Sequence, residues 1–476
     1  MRCAGKYLWM MKKILVTFLS LFSFVSAEQV TILGINDMHA HIDRLPQLAT
    51  FLKQERAARP DVLLFSAGDH RTGNPYVDIG EVPGLAMIEL MNALRVDVSA
   101  LGNHEFDSGL EALRRCRAAA DFSFVCANVR SNDGGKFKAE PYRILERGGV
   151  RIGVLGLVQT SEGDIPDVHP ERVSGLKFRE PLSVVRDYVY LRERCDVLIL
   201  LTHLGFETDV KLAALFPEAD AIVGGHSHTR VDGAHVENGV LITQAQNKVK
   251  YITRLTFEVE EGKVIGKKAE LIPLADLPQD ADMLAAVKAV KNSPHMLRQL
   301  TTVRKDIDNR ESLGCLMTDA LRAAAGTQIA VLNRGSVRLE EFPAGPFRVE
   351  DCYRLDPFGN KTVVMKVTGK ELVEFIDAVT ASGHYGPPCV SGMRIVTTAQ
   401  QPMKIAEACL EDGTPIDPEA IYTMATSNYL TGTVSVVPAD SGSLLDIDAA
   451  TALLQFLDGR PSIDYSSVSR TGVSTK

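Results

Sequence analysis

The stretch Gly102-Asn103-His104-Glu105-Phe106-Asp107 holds three side chains with complementary chemistry. Asn103 offers a neutral carbonyl oxygen suited to a metal ion. His104 can protonate a leaving group near neutral pH, and Asp107 is close enough in sequence to fix its tautomer. Taken alone, the stretch also fits a polar turn that caps the next helix. Its neighbours decide between the two readings. Asp37-Met38-His39, Gly68-Asp69-His70, Thr202-His203 and Gly225-His226-Ser227-His228 recur along the chain, each directly behind an apolar run. Any one of these is weak evidence, since a lone loop histidine is usually a surface or core residue. Their ordered repetition behind strand ends is not expected by chance. An Asp-x-His pair is expected to present both side chains on one side of an extended turn. A shared aspartate can bridge two cations, and oxygen and imidazole donors without thiolate favour manganese, zinc, iron or cobalt over a calcium cage. Two such ions about 3.5–4 Å apart clamp a phosphate ester and activate water.

Positioning these residues requires a sheet whose strand ends converge. The apolar runs Val30–Ile35, Val62–Ser66, Val96–Leu101, Phe124–Ala127, Ile152–Leu157, Val197–Leu201, Ala221–Val223 and Val240–Thr243 read as strands buried on both faces. Leu45, Leu48 and Leu52, and then Leu85, Ile88, Met91 and Leu94, recur at helical spacing between them. The pattern predicts a layered α/β domain with ligands at the strand ends. Tyr251 to Leu271 alternates about a turn at Glu261-Gly262 and reads as a hairpin closing that domain. A helix over Ala281–Val290 lies in the connecting segment 275–303. A smaller α+β domain is expected over 304–476, with a helix through Leu313, Met317 and Leu321 that stops at Gly326, another through Leu372 and Val379, and strands at Ile329–Leu332 and Thr362–Val367.

With 476 residues the chain is long for one core, and 45% hydrophobic and 24% charged residues fit a globular protein. Its net charge of -8 argues against a nucleic acid polymer or an anionic membrane as main partner. Met11-Lys12-Lys13, the apolar run Ile14 to Val25 and Val25-Ser26-Ala27 have the layout of a secretory leader over 1–27, too short to anchor in a bilayer. The expectation is a secreted, periplasmic protein with no membrane anchor after cleavage. The 8 cysteines form no CxxC pair, and spacing leaves a Cys116–Cys126 disulfide open.

The ordered motifs Asp37-x-His39, Gly68-Asp69, Gly102-Asn103-His104-Glu105, His203 and Gly225-His226-Ser227-His228 resemble the calcineurin-like metallophosphoesterases, and within them the secreted 5'-nucleotidase/UDP-sugar hydrolase family. Leu332-Asn333, Val337-Arg338, Pro357-Phe358-Gly359-Asn360 and Met424 to Tyr429 support the narrower match. The resemblance spans about 30–460. It implies a metallophosphoesterase domain over 28–274 and a substrate-binding domain over 304–476, with 275–303 between them as a hinge. It further implies two divalent ions of the manganese, zinc, cobalt, iron or magnesium type. Asp37, His39 and His228 would hold one, Asn103, His203 and His226 the other, with Asp69 bridging. His104 and Asp107 match the catalytic dyad of the family. His41 and His70 match no ligand position and read as neighbours, and His235 and His384 read as exposed or structural.

In the second domain the resemblance implies phosphate contacts from Arg338 and Arg310, a base-stacking pair in Phe358 and Tyr429, and polar contacts from Asn333 and Asn360. Two departures stand out. Arg334-Gly335-Ser336 replaces a Gly-Gly pair, and Leu430-Thr431-Gly432-Thr433 follows Tyr429 where the family carries a ribose-binding Asp. A site lacking that acid loses discrimination for the sugar. The implied activity is hydrolysis of an extracytoplasmic nucleotide; alternatives are UDP-sugars, cyclic nucleotides or another phosphate ester, or a secreted binding protein that keeps the fold without turnover.

Overall fold

The computed structural model describes residues 27–132, 139–161, 164–382, 386–399, 402–436 and 438–474. The expected leader, with Cys3, lies outside the described residues apart from Ala27.

The N-terminal half is built on two six-stranded sheets. In the first, Glu28–Ile35 runs parallel to Leu63–Ser66, which is followed by Val98–Ala100 and Ser123–Val125; Tyr251–Glu260 adds antiparallel on the other side. In the second, Val150–Val158, Val197–His203, Ala221–Val223 and Val240–Thr243 are parallel, and Tyr142–Arg147 and His235–Glu237 are antiparallel edges. Val30, Ile32, Phe65 and Val98 of one sheet share a buried core with Val154, Ile199, Leu201 and Val223 of the other. The outer faces are covered by helices: Leu45–Ala58, Leu85–Ala93 and Gly109–Ala119 on the first, Phe206–Leu215 on the second. Near-continuous apolar runs are what such doubly covered strands require. Because the inner strands are parallel, their carboxyl ends gather on one edge.

The hairpin is Tyr251–Glu260 and Lys263–Pro273, turning at Glu261 and Gly262 with φ of 51° and 74°, the left-handed pair of a tight hairpin turn. Helix Ala281–Val290 buries Met283 and Val287 in the outer core of the N-terminal half. The C-terminal half has a five-stranded mixed sheet containing Ile329–Leu332, Lys361–Thr368 and Ile421–Ser427. Helices Arg310–Ala325 and Ala449–Leu457 contribute to its larger apolar cluster, and Gly369–Ser382 to the other. Arg310–Ala325 ends on Gly326 at φ 64°, as its glycine stop predicts.

Cys116 and Cys126 form no disulfide. The Cys116 thiol faces the Pro83 carbonyl at 3.4 Å and the Cys126 thiol the Asn128 side chain at 3.4 Å, both in the buried interior. No described helix is long and apolar enough to cross a membrane.

Candidate active site

The five histidine- and aspartate-bearing loops converge at the shared strand edge. Asp37, His39 and Ala40 leave the first strand with φ of 48°, 44° and 53°, and Asp69, His226 and His228 have φ of 52°, 81° and 55°. The Asp-x-His segment is therefore a left-handed turn, not the extended one its spacing suggests. Such backbone is costly for residues with a Cβ and persists where surrounding contacts impose it. Those contacts are present. The Asp37, His39 and Ala40 amides donate to the carbonyls of Gly68, Asp69 and His70. Asn36 donates to Asp37 Oδ2 at 2.6 Å while its own Oδ1 accepts from the Ala245 amide. Gly102 must be glycine, since a Cβ there would lie 2.2 Å from Asp69 Oδ1.

Two groups of side chains result. Asp37, His39 and His228 form one: His39 Nε2 lies 2.9 Å from His228 Nε2, and His228 Nε2 lies 3.5 Å from Asp37 Oδ1. Asp37, Asp69 and His203 form the other, with His203 Nε2 3.1 Å from Asp69 Oδ2 and 4.0 Å from Asp37 Oδ1. His226 joins from the same side, its Nδ1 3.2 Å from Asn103 Oδ1 and its ring 5.2 Å from that of His203. Asp69 Oδ2 also reaches to 3.9 Å of His39 Nε2. All seven ligand residues predicted from the sequence are thus in one place. The donor set fits two hard-to-borderline divalent cations, being carboxylate, imidazole and amide without thiolate. His203 makes the case sharper: its Nδ1 is bonded to the Ala67 carbonyl at 2.7 Å, which turns its buried Nε2 into the cluster toward Asp69 Oδ2.

His104 begins a short 3-10 turn, His104–Phe106, and Asp107 caps it. Its Nδ1 lies 2.7 Å from Asp107 Oδ2, and its Nε2 lies 3.9 Å from Asp69 Oδ2. Burial works against charge on this ring, but Asp107 and Asp69 together hold its pKa above the ordinary value. His226 is the opposite case, lowered to about 4 by burial and by His203. One cluster therefore contains an imidazole biased toward the proton beside one biased against it.

Glu105, inside the same motif, serves the frame. Its carboxylate accepts from the amides of Asp69, His70 and Gly102 at 2.9, 2.9 and 2.6 Å and meets His70 Nδ1 at 2.8 Å. His70 Nε2 pairs with Ser99 Oγ at 2.7 Å, so His70 is a buried structural neighbour; His41, half-buried, is also a neighbour and faces the His39 carbonyl at 3.1 Å. Glu105→Ala leaves those amides and His70 without their acceptor. Urea unfolding of the metal-free protein is expected to show a loss of about 3–5 kcal/mol; a loss below about 1 kcal/mol would show that water replaces the carboxylate.

The second domain reaches the same cluster. Arg338 Nη2 lies 3.0 Å from His39 Nδ1, its guanidinium is 5.6 Å from the Phe358 ring centroid, and the Phe358 ring is 6.0 Å from that of His104. The other expected contacts are set further out. Asn333 accepts from Ser336 Oγ at 2.6 Å inside its own turn, and Arg310 pairs with Glu340 at 3.4 Å at the start of its helix. Tyr429 opens helix Asn428–Thr433 and packs against its own domain's core. Asn360 lines a cavity of about 450 Å³ between the halves, with Gly109 and Leu110 beside the dyad, His169 and Arg172 from the loop before Leu176, and Asn428. Where the acid is missing, a Cβ on Gly432 would lie 3.6 Å from His169 Nε2. His235 sits on an exposed edge strand, and His384 lies outside the described residues.

Several contributors carry no motif. Asn247 lies 3.0 Å from His228 Nδ1, on a loop in which Gln246, Lys248 and Val249 have φ of 62°, 57° and 55°. Asp209 is buried behind His203, bonded to Thr202 Oγ1 at 2.7 Å and pushed up to about 8 by burial. An acid shortly after the Thr202-His203 motif is a signal that could have drawn attention to Asp209, whereas nothing in the sequence marks Asn247.

The sequence matches the calcineurin-like phosphoesterase model over residues 30–230 and the 5'-nucleotidase C-terminal domain model over 289–438. The chain belongs to this two-domain phosphoesterase family. It is 26% identical to protein UshA of Escherichia coli over 477 residues, covering 84% of this chain and 85% of that one. It is 27% identical to endonuclease YhcR of Bacillus subtilis over 463 residues, covering 84% of this chain and 37% of that larger protein. The solved 5'-nucleotidase precursor from Thermus thermophilus is 26% identical and superposes with a TM-score of 0.81, over 94% of this chain and 100% of that one. The phosphoesterase is accordingly a metal-dependent hydrolytic enzyme whose second domain matches the C-terminal domain of 5'-nucleotidases.

Proposed function

We propose that the protein is an extracytoplasmic phosphohydrolase of nucleotides using two divalent ions. The observation that supports this best is the meeting of three sets of groups. The metal-type cluster, the His104–Asp107 pair and Arg338 with Phe358 of the second domain all lie within contact distance around His39 and His104. Asp37, His39 and His228 would hold one ion, Asn103, His203 and His226 the other, with Asp69 between them. Bound there, the ions supply Lewis acidity to the phosphate oxygens and lower the pKa of water.

The chain's own groups do the rest. Arg338 offers a planar pair of N–H donors to the anionic ester. His104, charged by its carboxylate neighbours, gives its Nε2 proton to the departing oxygen, and Asp107 keeps the Nδ1 proton in place. Phe358 supplies an aromatic face beside that oxygen, and Asn360 lines the cavity outward from it as a specificity contact, with Tyr429, Asn333 and Arg310 as the further contacts that the family resemblance implies. The match to the 5'-nucleotidase C-terminal domain and the likeness to the solved 5'-nucleotidase precursor support the nucleotide reading, and the leader-like first 27 residues support the location.

A second reading within hydrolases, an ester other than a plain nucleoside monophosphate, is favoured by the missing acid after Tyr429 and by His169 standing opposite Gly432. The test is metal-dependent phosphate release from an aryl phosphate, nucleoside mono- and diphosphates, cyclic nucleotides and nucleotide sugars, with manganese added. Release from nucleoside monophosphates supports the first reading, and release only from the others supports the second. No release from any ester would leave a binding protein and end both.

A further inference from the structure

Behind the His104–Asp107 pair lies a third residue that no motif singles out. Thr72 is buried, and its Oγ1 donates to Asp107 Oδ2 at 2.6 Å, the same oxygen that meets His104 Nδ1 at 2.7 Å. Thr72 is not held there by Asp107. Its amide donates to Asp78 Oδ1 at 2.8 Å, and the amides of Gly73 and Asn74 donate to Asp78 Oδ2 at 2.7 and 2.8 Å. Asp78 is itself buried and closes the short helix Pro75–Asp78. Asn74 Nδ2 reaches the Ala40 carbonyl at 3.1 Å, and a Cβ on Gly73 would lie 2.6 Å from the His39 carbonyl. This anchored turn places Thr72 at φ 71°, a left-handed conformation unusual for a β-branched residue. The energetic cost of that conformation is one that a merely space-filling residue would not require.

We propose that Thr72 is a positioning residue for the acid step, fixing the Asp107 carboxylate so that His104 Nε2 faces the leaving oxygen. The inference rests on the dyad reading given above. Asp107 can turn about two side-chain bonds, and a carboxylate free to turn carries the imidazole with it. With Thr72 Oγ1 and His104 Nδ1 both on Oδ2, one orientation satisfies both donors. The turn holding Thr72, tied together by Asp78, is attached through Asn74 and the Ala40 carbonyl to the loop that carries His39. The acid and the ligand cluster therefore share one rigid support, and a misplacement of even 1 Å is enough to reduce rate substantially.

The experiment compares Thr72→Val and Thr72→Ser in the full chain, loaded with manganese, on the ester hydrolysed fastest in the substrate panel. Valine keeps the shape and β-branching but cannot donate. Thr72→Val is expected to lower kcat about ten-fold with KM and metal content unchanged, and Thr72→Ser to restore it to within about three-fold. In an Asp107→Ala background, Thr72→Val should change kcat less than about two-fold, because the carboxylate it positions is gone. Wild-type kcat in Thr72→Val, or an undiminished further loss in the Asp107→Ala background, would overturn the assignment. His104→Ala, measured in parallel, separates the two levels of argument. If it keeps wild-type kcat, the dyad reading fails and takes this inference with it; if it falls while Thr72→Val does not, only the positioning role is lost.

Discussion

Replacing His104 by alanine is expected to lower kcat by about a hundred- to ten-thousand-fold, the range for loss of a positioned general acid. Metal content, measured by elemental analysis of the purified variant, is expected to stay at its wild-type value. The geometry separates these two outcomes. His104 Nδ1 is committed to Asp107 at 2.7 Å, and its Nε2 is 3.9 Å from the nearest aspartate oxygen of the cluster, Asp69 Oδ2. The ring also lies 5.2 Å from that of His39 and 6.0 Å from Phe358, so it stands between the ligand group and the second domain. Esters with good leaving groups need little protonation. The defect should therefore be small on an activated aryl phosphate and large on an alkyl ester such as a nucleotide. An equal loss on both, or a fall in bound metal, would reassign His104 to the metal site. Both patterns are read from the same purified variant.

Much of this site was legible because its parts sit where strands end. An apolar run followed by Asp, Asn or His is a local signal, and parallel strands turn it into a spatial one by bringing every carboxyl end to one edge. That logic placed Asp37, Asp69, Asn103, His203, His226 and His228 together from the sequence alone. It did not reveal Thr72, Asp78 or Asn247, because their partners Asp107, the 72–74 amides and His228 are met through turns whose shape is set by tertiary contacts. It also misjudged the Asp-x-His backbone, where the fold imposes left-handed angles in place of extended ones. In the second half, the strands Met393–Thr397 and Ile405–Leu410 carry mixed burial, so their apolar runs are interrupted and short. The pocket residues there fared least well, since Asn333 and Tyr429 spend contacts on their own turn and core, which composition does not show.

Asp69→Ala is expected to have the largest effect of all, removing about a thousand-fold or more of activity together with bound metal, since the bridging role proposed for it would forfeit several kcal/mol of charge stabilisation on its loss. Its Oδ2 lies 3.1 Å from His203 Nε2 and 3.9 Å from both His39 Nε2 and His104 Nε2, while its Oδ1 accepts from the His104 amide at 3.0 Å. No other carboxylate among the described residues touches both ligand groups and the dyad turn. The same residue sets the pH dependence of metal uptake. Burial alone would lower the His203 pKa, but Asp69 and then Asp37 overcome it and lift the ring to about 10. In the metal-free protein His203 is therefore protonated at neutral pH, and an ion must displace that proton. Metal affinity is expected to tighten about ten-fold per pH unit between about pH 7 and pH 9. The pair's contribution to metal-free stability runs the other way. It is fully present below the ordinary histidine pKa of about 6.5 and is lost as pH rises toward 10. In Asp69→Ala the main source of the elevation is gone and burial prevails, so both slopes should flatten. Titrating manganese into wild type and variant across that range, followed by calorimetry with pH-matched denaturation curves, reads both. Unchanged slopes would place the displaced proton elsewhere, and two tightly held ions in Asp69→Ala would remove it from the bridge.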